Sequence, residues 1–254
     1  MFLEEMKWPE VSSLQRDRVV VVCCISALEQ HSLHLPMGTD YFIGAELLRR
    51  LEGQAPDQIL CLPALWLGAS DHHMDFAGTI SASTLTVMNV LHDIASSVQQ
   101  HGFKKLLFVN SHGGNRALLG CSVQEIGHRY PDMTIIGATY WDVAREELLR
   151  IRETEYGGMG HACELETSII LAISSGLVDM SKAQYDGTMA SSQFTKGEML
   201  FAPQVATYRS MKDGSRHGGF GDPTVATSKK GFDMLDAIVV KLTALCDDIL
   251  ENRI

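Results

Sequence analysis

The run RVVVVCCI (Arg18–Ile25), followed by SALEQHSLHLPMGTD (Ser26–Asp40), decides how this chain folds. Uninterrupted apolar residues, most of them β-branched, suit a strand covered on both faces rather than one that alternates between core and water. The loop that follows carries Glu29, His31, His34 and Asp40. Polar and ionisable groups concentrated just past a core strand point to a site at the strand's carboxyl end.

Outward from that run, apolar stretches alternate with helical patterns. DYFIGAELLRRLEG (Asp40–Gly53) has helical spacing and a glycine placed to cap it. DQILCLPAL predicts a second strand, and SASTLTVMNVLHDIASSVQQHG (Ser81–Gly102) an amphipathic helix with a Ser/Thr start and a Gly stop. KKLLFVN predicts a third strand, NRALLGCSVQEIGHRYP the helix after it, and MTIIGATYW a fourth strand. ELETSIILAISSG (Glu164–Gly176) and SKKGFDMLDAIVVKLTALCDDILEN read as two further helices. This alternation predicts an α/β fold, a mostly parallel sheet flanked by helices on both faces, as a single domain over residues 1–254. Two regions depart from it: Arg152–Gly160 (RETEYGGMG) and roughly Tyr185–Thr227, rich in Gly, Ser and polar residues. Such segments are either functional loops or interfaces, or variable surface excursions.

Composition narrows the function classes. A net charge of −10 argues against non-specific nucleic-acid binding and leaves no polybasic patch for an anionic membrane. No apolar run is long enough to span a bilayer, and MFLEEMKWPEV lacks a signal-peptide core, so a cytoplasmic protein is expected. The six cysteines form no CxxC pair, which suggests neither a disulfide framework nor a cysteine zinc site. G-x-G-x-x-G, the P-loop and G-x-S-x-G are all missing, which removes the usual dinucleotide, nucleotide and serine-hydrolase readings.

Three polar clusters fall after strands or at a helix start. Glu29 and His31 are two apart, so an extended chain points both to one side. VNSHGGNR (Val109–Arg116) carries His112 with two glycines beside it, and GHACELETS carries His161, Glu164 and Glu166. Carboxylates and imidazoles without cysteines suit Zn²⁺, Mn²⁺ or Fe²⁺, and a short carboxylate such as Asp40 can be shared between two ions. Each residue also has a plainer reading. Asp40 could cap its helix, Glu166 could favour a helix N-terminus, and His34 could orient the loop.

In order and spacing, EQHSLHLPMGTD, DHHMDFAGTIS, NSHGGN, HACELETS and GGFGDPTVATSKKG resemble the creatininase (creatinine amidohydrolase) family, from about Val19 to the C-terminal helix. The resemblance implies a single α/β domain with a binuclear site, often zinc and manganese, and a homo-oligomer, hexamers being known. It implies that Glu29, Asp40 and His112 hold one metal and His31, Asp40 and Glu166 the other, with His161 beside the substrate and His73 before the GT turn. His161, His73 and Glu164 are then the candidates for proton delivery. The chain departs from creatininase itself at Gly114, where that enzyme has a catalytic glutamate, and at Gly157, where it has a tryptophan. Ser32 replaces the usual glycine after EQH. Relatives with the HGGN form act on a formamidopyrimidine, a peptide or a dehydro-inosose sugar.

The expected function is metal-dependent hydrolysis of a small cyclic amide or related C–N substrate. The alternatives are hydrolytic C–C opening of a cyclic keto-sugar, or a non-catalytic, metal-stabilised binding protein. A hydroxyl-binding pocket of Tyr140, Asp142, Arg145 or His217 would favour the sugar, and an aromatic slot near Trp66 and Trp141 the amide; both tryptophans also suit a core.

Overall fold

The computed structural model describes residues 1–187 and 192–254, so part of the expected loop region, positions 188–191, lies outside the described residues. In chain order the helices and strands are α1 (Trp8–Ser12), β1 (Val20–Ile25), α2 (Thr39–Gln54), β2 (Ile59–Cys61), α3 (Thr84–Gln100), β3 (Lys105–Asn110), α4 (Arg116–Arg129) and β4 (Thr134–Thr139). They continue with α5 (Tyr140–Val143), α6 (Arg145–Ile151), β5 (Met159–His161), α7 (Glu164–Ser174), α8 (Met211–Gly214), β6 (Phe220–Gly221) and α9 (Ser228–Leu250).

The main sheet has the order β2-β1-β3-β4, and every pairing in it is parallel. The continuous apolar run of β1 is explained by burial on both sides. Val20, Val22 and Cys24 join Leu107 and Val109 of β3 in a core closed by α2, α7 and α9. Val19, Val21, Cys23 and Ile25 join Leu106 and Phe108 in a second core under α3 and α4. Side chains that alternate between two apolar layers leave no face for water. Five of the six cysteines are buried and all are free; Cys121 is exposed.

Several boundaries differ from expectation. The second strand shrinks to Ile59–Cys61 because Pro63 has no N–H, yet Leu65 N still donates to Cys24 O at 2.8 Å beyond the break. The fourth strand stops at Thr139, and Tyr140–Trp141 turn into α5. Gly53 does not cap α2 but lies inside it, whereas Gly102 follows α3 with φ +82° and does end that helix. The two irregular regions meet each other: β5 and β6 pair antiparallel, His161 opposite Phe220.

β1 departs to β2 on one side and β3 on the other, so the sheet's switch point lies between the carboxyl ends of β1 and β3. Among the described residues no helix is long and apolar enough to cross a membrane.

Helix α9 packs on α7 through Gly231, where a Cβ would meet the Ser168 carbonyl oxygen at 1.9 Å. Gly231→Ala is therefore expected to lose about 1–3 kcal/mol in urea unfolding. Gly53→Ala, where a Cβ meets nothing, is expected to gain about 0.5–1 kcal/mol. Equal midpoints for the two variants would contradict this packing.

Candidate metal centre

Five side chains converge at the switch point. Glu29 and His31 come from the loop after β1, Asp40 from the first turn of α2, His112 from the turn after β3, and Glu166 from the first turn of α7. All are at most 3 % exposed. Asp40 stands in the middle: its Oδ1 lies 3.2 Å from His31 Nε2 and its Oδ2 3.1 Å from His112 Nδ1. Glu29 Oε1 is 3.3 Å from His112 Nδ1, and Glu166 Oε1 is 3.9 Å from His31 Nε2. The ligand-type atoms of Glu29, Asp40 and His112 lie within 4.8 Å of one another, as do those of His31, Asp40 and Glu166. Glu29, His31 and His161 form a third such group; the first two, with Asp40 common to both, bring together the residues that the family resemblance named.

Backbone carbonyls fix how the imidazoles face. His31 Nδ1 contacts Glu29 O at 3.1 Å, and His112 Nε2 contacts Ala69 O at 3.1 Å. A carbonyl can only accept, so each of these nitrogens carries its proton outward. The opposite nitrogen of each neutral ring then turns a lone pair toward carboxylate oxygens. Glu29 Oε2, Asp40 Oδ2 and His31 Nε2 are buried without a hydrogen-bond partner. Three carboxylates and two inward lone pairs repel one another unless positive charge lies between them. The pull is visible in the titration of the same groups. Burial works against a charged His31, yet Asp40 and Glu166 outweigh it and lift its pKa to about 9, so a proton on Nε2 is one way to supply that charge. Burial also opposes ionisation of Asp40, but His31 and His112 hold its carboxyl well below the usual range. At Glu166 burial prevails over His31 and raises the pKa to about 7. An N/O donor set with far nitrogens tied to backbone carbonyls fits divalent zinc or manganese.

Two further histidines adjoin Glu29. His73 Nε2 lies 3.2 Å from Glu29 Oε1, and its Nδ1 takes a hydrogen bond from Gln30 Nε2 at 2.8 Å. His161 Nε2 donates to Gln30 O at 2.7 Å, leaving Nδ1 directed toward Glu29 Oε1 at 3.7 Å. Burial, then repulsion from His31, press the His161 pKa down to about 3, so its ring is neutral. His34 leaves the cluster and binds Thr167 Oγ1 at 2.8 Å, tying the loop to α7.

Other expected groups lie elsewhere. Glu164, a candidate for proton delivery, is turned away and saturated: it accepts from Lys230 Nζ at 2.6 Å, Thr154 Oγ1 at 2.7 Å, and the backbone N–H groups of Glu153 and Thr154. Its place at the first position of α7 sends its side chain toward the 152–160 loop, while Glu166, two residues on, faces the sheet. Asp142 is engaged by Arg116 at 2.7 Å and Arg145 at 2.8 Å. Trp141 is core, whereas Trp66 is 48 % exposed. Sequence reasoning missed Gln30, whose amide bridges His73, Gly218 O and the Ser32 N–H. It also missed why glycine is usual at position 32: Ser32 has φ 58°, a left-handed conformation that glycine enters without cost.

Glu164 thus holds the loop that leads into His161. Burial disfavours its charge, but Lys230 and the loop donors keep its pKa below the ordinary 4.5. A depressed folded-state pKa contributes stability above the unfolded value and loses it as pH falls. Glu164→Gln should therefore cost about 2–3 kcal/mol at neutral pH, the size of a charge-assisted hydrogen bond. It should also flatten the loss of stability that the unsubstituted chain shows below pH 4.5. Circular-dichroism melts across pH 3–7 (roughly the titration range of carboxylates) check both; an unchanged acid limb contradicts the assignment.

Comparison with known proteins places this geometry in a family. The family model described as creatininase, creatinine amidohydrolase, matches residues 4–246. A mycofactocin precursor peptide peptidase of Mycobacterium tuberculosis (strain CDC 1551 / Oshkosh) is 30% identical over 232 residues, covering 86% of this chain and 81% of that protein. The creatinine amidohydrolase of Pseudomonas putida is 25% identical over 197 residues, covering 72% and 75%. Among solved structures, a candidate creatinine amidohydrolase from Bacteroides fragilis NCTC 9343 superposes with a TM-score of 0.81 at 25% identity over 98% of this chain and 96% of that one. A manganese form of creatininase superposes with a TM-score of 0.79 at 21% identity over 96% of each chain. On the strength of the match across nearly its whole length, the chain belongs to the creatininase family and is a hydrolase of that family.

Proposed function

We propose that the protein hydrolyses a C–N bond in a small amide, cyclic amides included, at a pair of divalent ions. The observation that carries this reading is Asp40, whose two oxygens face two different imidazoles at 3.2 and 3.1 Å. Glu29, Asp40 and His112 would hold one ion, and His31, Asp40 and Glu166 the other, zinc and manganese being the best match to the donors. A bound pair of this kind acidifies water and polarises a carbonyl at neutral pH.

The chain's own residues supply the rest. His73 fixes Glu29 through its Nε2–H, and Gln30 fixes His73 in turn. His161, anchored on the Gln30 carbonyl with Nδ1 turned toward Glu29, is the group placed to pass a proton between the attacking water and the leaving nitrogen. Glu164 is left out of this chemistry by its four donors. The substrate is a small molecule, and the protein works as a homo-oligomer.

Elemental analysis of purified protein should find close to two divalent ions per chain, with turnover of at least one member of a panel of cyclic amides, formamides and short peptides. Asp40→Ala and His112→Ala should lose metal and activity together, metal affinity by at least about a hundredfold. His161→Ala should keep its metal and lose about 10²–10⁴ in turnover. Full metal content and rate in Asp40→Ala would overturn the binuclear reading, and metal without any turnover would favour a binding protein.

A further inference from the structure

Gly114 and His72 meet beside the cluster. A Cβ on Gly114 would meet the Ala69 carbonyl oxygen at 2.2 Å, His112 Nε2 at 2.5 Å and His72 Cε1 at 2.9 Å. Glycine at this position leaves the volume that the His72 ring lies against. The ring stacks on His112 at a centroid distance of 5.7 Å and an interplanar angle of 21°, and meets His73 edge-on at 4.3 Å. His73 is buried, whereas His72 is only half-buried and reaches solvent.

The ring nitrogens of the neighbouring histidines are committed. His31, His112 and His161 each give one nitrogen to a backbone carbonyl and turn the other toward carboxylate oxygens. His73 is held by Gln30 on one side and Glu29 on the other. His72 belongs to none of the three carboxylate–imidazole groups, and among the described residues no hydrogen bond or ion pair involves its ring, which meets His73 and His112 ring to ring. It therefore brings an uncommitted donor and acceptor to the edge of a site where the other imidazoles are spoken for.

We propose that His72 is a substrate-contacting residue, whose ring nitrogen accepts a hydrogen bond from the N–H of an amide with its carbonyl at the cluster. This gives the site a preference for amides that carry an N–H over N-alkylated ones. The inference rests on the amide-hydrolase reading above, and it assigns to His72 discrimination among substrates, not metal binding.

The test uses the full, metal-loaded chain and two chelating probes, acetohydroxamic acid and its N-methyl derivative. Both offer the same pair of oxygens, and only the first carries an N–H. By calorimetry the unsubstituted protein should favour the N–H probe about five- to tenfold, the size of one net hydrogen bond. His72→Leu should bring that ratio close to one with metal content unchanged, and His72→Gln, which keeps an acceptor, should retain part of it. His72→Ala serves the same purpose should the leucine variant fail to fold. A ratio that survives in His72→Leu or His72→Ala overturns the role of His72 and leaves the hydrolase reading intact. Loss of metal from those variants overturns it in favour of a structural role. An unsubstituted protein that takes up no metal, or binds neither probe when loaded, overturns both.

Discussion

Three carboxylates, those of Glu29, Asp40 and Glu166, are buried together in one crevice, and much of the structure follows from keeping them there. A buried carboxylate with no counter-charge costs several kcal/mol. This cluster answers with imidazoles held at fixed angles, not with lysine or arginine. The fixed angles come from backbone carbonyls, Glu29 O for His31 and Ala69 O for His112. Those carbonyls sit in loops whose ends are pinned by the parallel sheet. The two apolar layers on either side of β1 and β3 are therefore more than a source of stability: they set the position of the charge cluster from both faces.

The fold was legible in the sequence wherever burial dictates pattern. The seven-residue apolar run Val19–Ile25 that holds β1, or the helical spacing of α3 and α9, admits few alternatives, because either face of the element must be covered. Boundaries were less legible where a single residue decides them. Pro63 interrupts β2 without ending its pairing, and Gly53 sits in open space inside α2 instead of terminating it. The antiparallel pair β5–β6 joins segments far apart in the chain and has no pattern of its own; each strand is too short to show a period.

The site was legible in outline for a different reason. Acidic and imidazole side chains placed at strand ends and a helix start stand out from loop composition, and their order matches a known family. Roles within the site depend on which way each side chain turns, which spacing does not reveal. Glu164 and Glu166 are two residues apart on one helix, and only one faces the sheet. Gln30 and His72 carried no signal, the first because an amide in a loop is common, the second because it stands next to another histidine.

Around the fixed cluster, the rim varies with small substitutions. Gly114 leaves a space that the His72 ring lies against, and Ser32 accepts a left-handed backbone where glycine is usual. A scaffold that holds its charge centre through backbone contacts can change the groups at the mouth without moving the centre.

The most direct measurement is anomalous diffraction from crystals of the protein as purified, collected above and below the zinc and manganese edges. Two peaks about 3.5–4 Å apart, with Asp40 between them, Glu29 and His112 on one and His31 and Glu166 on the other, are the predicted result. A single peak, or none at these five side chains, would contradict a shared aspartate holding two ions.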